Sequence, residues 1–167
     1  MVSKNNISIR KAKVQDVTEI LKLIKELAEY EDLLCEVVAT EELLKKTLFG
    51  TQSPAEVILA FDKEKILGFA LYFISFSTFL GRSGIYLEDL FVREGARGKG
   101  IGKALLCSMA KRAKEIGGDS RLEWTVLNWN KNAIDFYKKI GASPLKKWTK
   151  YRLPGEKLND LAEYNEF

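Results

Sequence analysis

The sequence predicts a mixed α/β domain, and three observations carry that expectation. Residues 7–10, 56–61, 66–76, 85–92 and 121–127 are rich in alternating or β-branched apolar side chains, the signature of strands. Between them, residues 17–28 and 104–116 repeat their apolar positions every three to four residues, as helices facing a core do. The two kinds interleave in the order β-α-α-β-β-β-α-β-α-β, which builds a mixed sheet covered by helices. At 167 residues the chain is read as one domain over residues 1–167, with its core over about 7–153 and a short tail over 154–167.

Each element has a local reason. Residues 7–10 alternate like a short strand. Asp16, with Glu19 three residues on, reads as a capping box that opens a helix. Its stripe is Val17, Ile20, Leu21, Ile24, Leu27 and Ala28, and it closes near Tyr30, Glu31 and Asp32. Thr40 starts a second helix, with Glu41 and Glu42 in the first turn against the positive end of the dipole and Leu43, Leu44 and Leu48 behind them. The polar turn 62–65 joins strands 56–61 and 66–76 as a hairpin, and Gly81 to Gly84 makes the next turn. After strand 85–92 comes a glycine loop. A long helix follows, with Leu105, Met109, Ala113 and Ile116 inward, Cys107 as core filler, and Gly117 and Gly118 as its end. Strand 121–127, a helix over 131–140 stopped by Gly141, a last strand over 147–153 and a tail over 158–167 complete the order.

Composition narrows the function classes. Hydrophobic residues make up 46% and charged residues 30%, as in an ordinary soluble protein. The net charge of +4, from 27 basic and 23 acidic residues, is mild and dispersed. That balance suits an anionic cofactor and argues against a nucleic-acid surface. No apolar run approaches the ~20 residues of a membrane span, and residues 1–6 are polar. Cys35 and Cys107, without a framework to pair in, fit a reducing compartment, and the chain is read as cytoplasmic. Histidine is absent, which removes Ser-His-Asp and Cys-His hydrolases and His-ligated zinc together. No metal is expected.

The segment Arg97, Gly98, Lys99, Gly100, Ile101, Gly102, Lys103 is the strongest local signal. Glycines let a ligand approach the backbone closely, and the N–H groups of a helix N-terminus attract phosphate oxygens. Three cations add to that field. The spacing is not the Rossmann fingerprint, because Lys103 stands where its third glycine belongs. Nor is it a P-loop, because Arg97 replaces the first glycine and Ala104 the Ser/Thr. A tight glycine turn bearing solvated charges is the alternative reading of the loop alone.

Arg97, Gly100 and Gly102 match the Arg/Gln-x-x-Gly-x-Gly/Ala loop of the Gcn5-related N-acetyltransferase superfamily, which this chain resembles. Residues 23–31, 86–92 and 130–141 further resemble the spermidine/spermine (diamine) acetyltransferases and their thialysine-acetylating relatives, and the likeness runs from about residue 7 to 153. The resemblance implies an α/β sheet splayed at its centre and flanked by helices, acetyl-coenzyme A as cosubstrate, a small primary amine as acceptor, and a homodimer. It assigns the acetyl-pantetheine arm to the backbone of Leu90, Phe91 and Val92, with a backbone N–H there polarising the thioester carbonyl. Gly98, Lys99, Gly100, Ile101, Gly102 and Lys103 would hold the pyrophosphate, with Arg97 at the head of the loop. Asn130, Lys131, Asn132 and Ala133 flank the coenzyme, although Asn130 reads equally as a helix N-cap.

Acetyl transfer to an amine needs a neutral nitrogen, yet a lysine-like amine with a pKa near ~10.4 is mostly charged at neutral pH. Carboxylates must attract the cation and help remove its proton. Glu31, Asp32, Glu88 and Asp89 are the candidates. Strand periodicity sends Glu88 and Asp89 to opposite faces. The resemblance assigns Glu88 to the amine site, passing a proton through water, with Tyr30 and Glu31 lining it and Glu123, Trp124 and Thr125 on its substrate side. The 30–32 segment reads otherwise as the polar end of a helix, and Trp124 and Trp129 as ordinary buried aromatics. Tyr137 is the proton donor that the family places in Phe136-Tyr137-Lys138; a phenol with pKa near ~10 can protonate a leaving thiolate. Its alternative is a core tyrosine on an amphipathic helix.

One segment departs from polyamine-selective relatives, which carry acidic residues before the last strand. Residues 143–150 include Lys146, Lys147 and Lys150 instead, a charge that repels an extended polycation and favours a diamine, a thialysine-like amine or an amino acid with its own carboxylate. A protein-lysine or N-terminal peptide acetyltransferase, and a non-catalytic coenzyme A-binding module, are the alternatives on the same fold.

Overall fold

The computed structural model describes residues 7–164; the polar residues 1–6 and the last three of the tail lie outside them. The chain divides into one compact unit ending at Thr125 and a second beginning at Val126.

The first unit holds strands β1 (Ile7–Lys11), β2 (Glu56–Asp62), β3 (Lys65–Ser77), β4 (Arg82–Val92) and β5 (Leu122–Trp124), with helices α1 (Val17–Tyr30), α2 (Glu41–Leu48) and α3 (Ile101–Gly117). The sheet runs β1-β2-β3-β4-β5. Its first three pairings are antiparallel and β4 lies parallel to β5. This is the mixed sheet that the order of periods predicts.

Strand alternation distributes the core. Leu59, Phe69 and Phe91 face one way, packed with Ile20 and Leu23 of α1 and the half-buried Ile24, Leu27 and Tyr30. Tyr72, Ile85 and Leu87 face the other way, where Arg112 and Glu115 of α3 stand near Tyr72 and where Ile101, Leu105 and Met109 are fully buried. Burying each such side chain is worth roughly 1.5–3 kcal/mol, so these apolar stripes, not helix propensity, hold α1 and α3 to the sheet.

A polar network adds to the hold on α1. Arg93, just past β4, donates from Nη2 to Glu26 at 2.7 Å, from Nη1 to the Ile66 carbonyl at 2.8 Å and from Nη2 to Glu19 at 3.4 Å. One guanidinium thus ties the helix, the hairpin and the end of β4 together. Gly117 serves packing: a Cβ there would fall inside the contact distance of the Ser83 carbonyl oxygen, the same oxygen that accepts from the Ser120 hydroxyl. The end of α3 and the start of β4 approach each other that closely because Gly117 has no side chain.

Several expectations are corrected. Asp16 does not cap α1 with its side chain. Its carboxylate accepts from both ends of the Arg10 guanidinium at 2.7 and 2.9 Å and from the Lys13 N–H at 2.7 Å, closing a short 3-10 turn over Val14–Asp16. The Arg10 pair holds the Asp16 carboxyl below its ordinary value; a charged bidentate partner outcompetes a neutral N–H. Glu19 pairs with Lys22 and Arg93. The turn before β4 sits at residues 78–81, with Gly81 at φ 63°, so Arg82 to Gly84 already belong to the strand. Strand 121–127 shortens to Leu122–Trp124. Cys107 is exposed, because it lies two residues from Leu105 and so points away from the stripe.

The second unit contains α4 (Lys131–Lys139) and α5 (Gly155–Ala162). The last strand expected over 147–153 is absent: the segment turns at Lys146 and Lys147 after Pro144, and Trp148 and Tyr151 stay 73% and 90% exposed. Its β-like residues meet no strand, and β propensity without a neighbour to pair with does not make one. The chain therefore ends its order on a helix, α5, within the expected tail.

Candidate active site

The site residues of the first unit gather where β4 is irregular. Leu71 of β3 pairs with Asp89 and Tyr72 pairs with Leu87, leaving Glu88 as an extra residue in β4. Such a bulge bends its strand and reverses the alternation beyond it. Leu87 therefore shares the face of Tyr72, while Asp89 and Phe91 share that of Leu71 and Phe69, the face that packs against α1. Glu88, at the bulge, is exposed. Alternation alone sends these two acids to opposite faces; the bulge instead sets Glu88 apart and turns Asp89 toward the α1 side. The β4–β5 ladder stops at Leu87–Trp124, one residue before the bulge. Beyond it Leu90, Phe91 and Val92 continue without a β5 partner, and the two parallel strands splay.

Asp89 is the electrostatic centre of this region. Burial pushes its carboxyl up to about 6, and the like charges of Glu88 and Glu31 push in the same direction. Glu31, just past the last turn of α1, is itself raised by burial. Ionising Asp89 is thus costly beside the charges of Glu88 and Glu31, and an incoming cation relieves that cost. Glu123 lies across from Tyr86 and Trp124 across from Leu87 on β5, with Glu123 bridged to Arg121 at 2.6 Å. Thr125, next along, is exposed.

Arg97 joins the glycine loop to α1. Its guanidinium carbon sits 4.5 Å from the Tyr30 ring centroid and 5.7 Å from that of Phe91, and its Nε donates to the Val92 carbonyl at 3.0 Å. Tyr30, Phe91 and Arg97, with Glu26, Glu29 and Glu94, line a cavity of about 310 Å³. Downstream, Gly98 and Gly100 adopt φ of 75° and 82°, a backbone region that favours glycine. Gly100 is the N-cap of α3 and supplies no side-chain cap. The first-turn N–H groups of Ile101, Gly102 and Lys103 therefore point out of the helix unsatisfied by it. With Lys99 and Lys103 exposed alongside, this terminus fits the pyrophosphate of a coenzyme.

The remaining candidates lie in the second unit. Asn130 accepts from the Ala133 N–H through its side chain at 3.1 Å and so caps α4. Lys131 and Asn132 are exposed in the first turn, and Tyr137 is half-buried beside Phe136, with ring centroids 5.4 Å apart. Sequence reasoning left Asp89 out of the chosen site and gave Arg97 only a loop role. An acid in an apolar strand signalled the first; nothing local to the loop signals the stacking partner of the second. Among the described residues no group of three or more Cys, Asp or Glu could hold a metal ion, and no helix is long and apolar enough to cross a membrane.

A mixed sheet whose strand β4 runs into an uncapped, basic, glycine-rich helix start presents a site for an anion such as a phosphate. The model of the acetyltransferase (GNAT) family matches residues 17–142, and the chain belongs to that family, whose acetyl donor is acetyl-coenzyme A. It is an N-acetyltransferase. The chain is 40% identical to a thialysine N-epsilon-acetyltransferase of Bos taurus, over 93% of this chain and 97% of that one. It is 34% identical to an L-ornithine N5-acetyltransferase of Arabidopsis thaliana, over 94% and 88%. An integron cassette protein from the mobile metagenome of V. cholerae superposes with a TM-score of 0.79 at 34% identity, covering 95% of this chain and 98% of that one.

Proposed function

We propose that the protein, as a single catalytic domain, transfers acetyl from acetyl-coenzyme A to the distal primary amine of a small molecule, best an amino acid of the thialysine or ornithine kind. The observation that carries this reading is the half-buried Asp89, its carboxyl raised by burial and by the like charges of Glu88 and Glu31, at the end of the β4–β5 ladder. An ammonium group entering there neutralises the repulsion, and the cluster accepts its proton, directly or through water at the exposed Glu88. The relatives that act on thialysine and ornithine support an acceptor bearing its own carboxylate. Lysines 146, 147 and 150 stand in the segment where polyamine-selective relatives carry acidic residues, which speaks against an extended polyamine as acceptor.

Acetyl-coenzyme A supplies the acetyl group as a thioester. Residues 98–103 hold its pyrophosphate, a backbone N–H among Leu90, Phe91 and Val92 polarises the carbonyl, and Asn130 to Ala133 take the coenzyme-binding role that the family resemblance implies. The neutral amine attacks that carbonyl directly, the carbon–sulfur bond breaks, Tyr137 gives its phenolic proton to the departing sulfur, and the proton shed by the newly acetylated nitrogen, carried by water, restores the phenol. Tyr30, Glu123, Trp124 and Thr125 wall the acceptor. The two exposed thiols favour a reducing compartment such as the cytoplasm. Exposed Trp148 and Tyr151 favour a homodimer that covers them.

Thiol release from acetyl-coenzyme A, measured against ornithine, thialysine, putrescine, spermidine and a lysine-containing peptide, tests the reading. The amino acids and the diamine are expected to exceed spermidine and the peptide in kcat/KM by tenfold or more. Faster turnover of the peptide identifies a protein acetyltransferase instead. Coenzyme A binding without turnover of any amine identifies a non-catalytic module.

A further inference from the structure

We infer that Tyr30, on the amine side, is a positioning residue for the coenzyme loop, acting through the face of its ring on Arg97. The inference rests on the coenzyme reading of residues 97–103 given above.

Four observations support it. First, the loop is intrinsically loose: Gly98 and Gly100 take positive φ and no side chain caps α3. A glycine-rich segment loses more conformational freedom on ordering than any other, so its conformation needs external fixing. Second, hydrogen bonds of the loop to itself and its flanks are short-range, with Arg97 N–H to the Glu94 carbonyl, Lys99 Nζ to the Gly95 carbonyl and Ala104 N–H to the Gly100 carbonyl. Third, a tie to another element runs through Arg97, whose guanidinium lies over Tyr30 of α1 at 4.5 Å while its Nε donates to the Val92 carbonyl. Fourth, Tyr30 sits in the last turn of a helix that is itself fixed by Ile20 and Leu23 in the core and by the Arg93–Glu26 pair. The ring is thus a rigid platform, and a cation held over such a face is attracted by the ring quadrupole.

The consequence concerns the two substrates together. Tyr30 adjoins Glu31, and its neighbour Phe91 lies two residues from Asp89 on the same face of β4. Loop geometry and the amine wall therefore share one contact, and a change on the amine side is felt by the coenzyme. Arg97 spends its guanidinium on this stack, leaving the backbone amides, Lys99 and Lys103 to meet the anion.

Calorimetric titration of coenzyme A, with no amine present, tests the inference. Tyr30→Leu removes the aromatic face and is expected to weaken coenzyme A binding about three- to tenfold, the range a partly exposed cation–π contact supports. Tyr30→Phe keeps the face without the hydroxyl and is expected to bind as the wild type does. Arg97→Met should lose a comparable factor, and the Tyr30→Leu/Arg97→Met double variant should lose little more than Arg97→Met alone, since the two act through one contact. Wild-type affinity in Tyr30→Leu, equal losses in Tyr30→Leu and Tyr30→Phe, or additive losses in the double variant would overturn it. Failure of the wild type itself to bind coenzyme A would overturn the parent reading and this inference with it. Thermal unfolding of each variant separates a lost platform from a lost fold.

Discussion

Tyr137→Phe is expected to lower kcat by at least tenfold, and up to the hundredfold or more that a positioned general acid supplies, while leaving coenzyme A affinity nearly unchanged. The substitution removes one oxygen and keeps the ring, so the packing against Phe136 on α4 survives. What is lost is the proton for the departing sulfur. Steady-state kcat together with a coenzyme A titration checks both halves. Near-wild-type turnover would dismiss Tyr137 as the acid. A parallel loss of coenzyme affinity would instead make it a packing residue of α4.

Asp89→Asn is expected to act in opposite directions on stability and activity. Burial and two neighbouring carboxylates raise the Asp89 carboxyl to about 6 in the native protein, whereas in the unfolded chain it ionises near ~3.9. Between those values the native state binds more protons than the unfolded state, so stability falls as pH rises from about 4 to about 6, and the loss persists above. Asparagine removes that loss. At pH 7.5 the variant should be more stable by about 1–2 kcal/mol, a gain of several degrees in Tm for a chain of this size. Below pH 4 the two melting curves should converge.

In the transfer assay the same variant lacks the charge that receives the ammonium. Its kcat/KM for the amine should fall by about ten- to a hundredfold, the worth of one hydrogen bond to a charged partner. The wild-type profile should lose amine kcat/KM below about pH 6 as Asp89 protonates. That limb should be missing from the variant. A residue that costs stability where it stands is one whose ionised form is retained for function. An Asp89→Asn variant that is both less stable and fully active would contradict the account.

The fold was legible where local chemistry is self-sufficient. The hairpin at 62–65, the Thr40 cap of α2, which accepts from the Leu43 N–H at 3.2 Å, and the apolar stripes of α1 and α3 each follow from a few neighbouring residues. The glycine loop was legible because positive φ and a charged helix start both leave marks on composition. The rest depends on partners distant in sequence. Asp16 looks like a cap until Arg10 of β1 is brought beside it. Residues 147–153 look like a strand until no strand meets them.

The bulge at Glu88 is the most consequential of these. Leu87, Glu88, Asp89 and Leu90 satisfy a two-residue period in either frame, and only pairing with β3 decides which acid turns toward α1. The stack of Arg97 on Tyr30 spans sixty-seven positions of sequence and likewise has no local sign.

Direct acetyl transfer from acetyl-coenzyme A to a small primary amine leaves no acetyl group on the protein. Intact-mass and product analysis of one reaction containing the protein, acetyl-coenzyme A and ornithine tests it most directly. Ornithine acetylated on its side-chain nitrogen is expected together with an equal amount of free coenzyme A thiol, with the protein mass unchanged throughout. Acetyl found on Cys35 or Cys107 as a kinetically competent species, or thiol release with no acetylated amine, would contradict it.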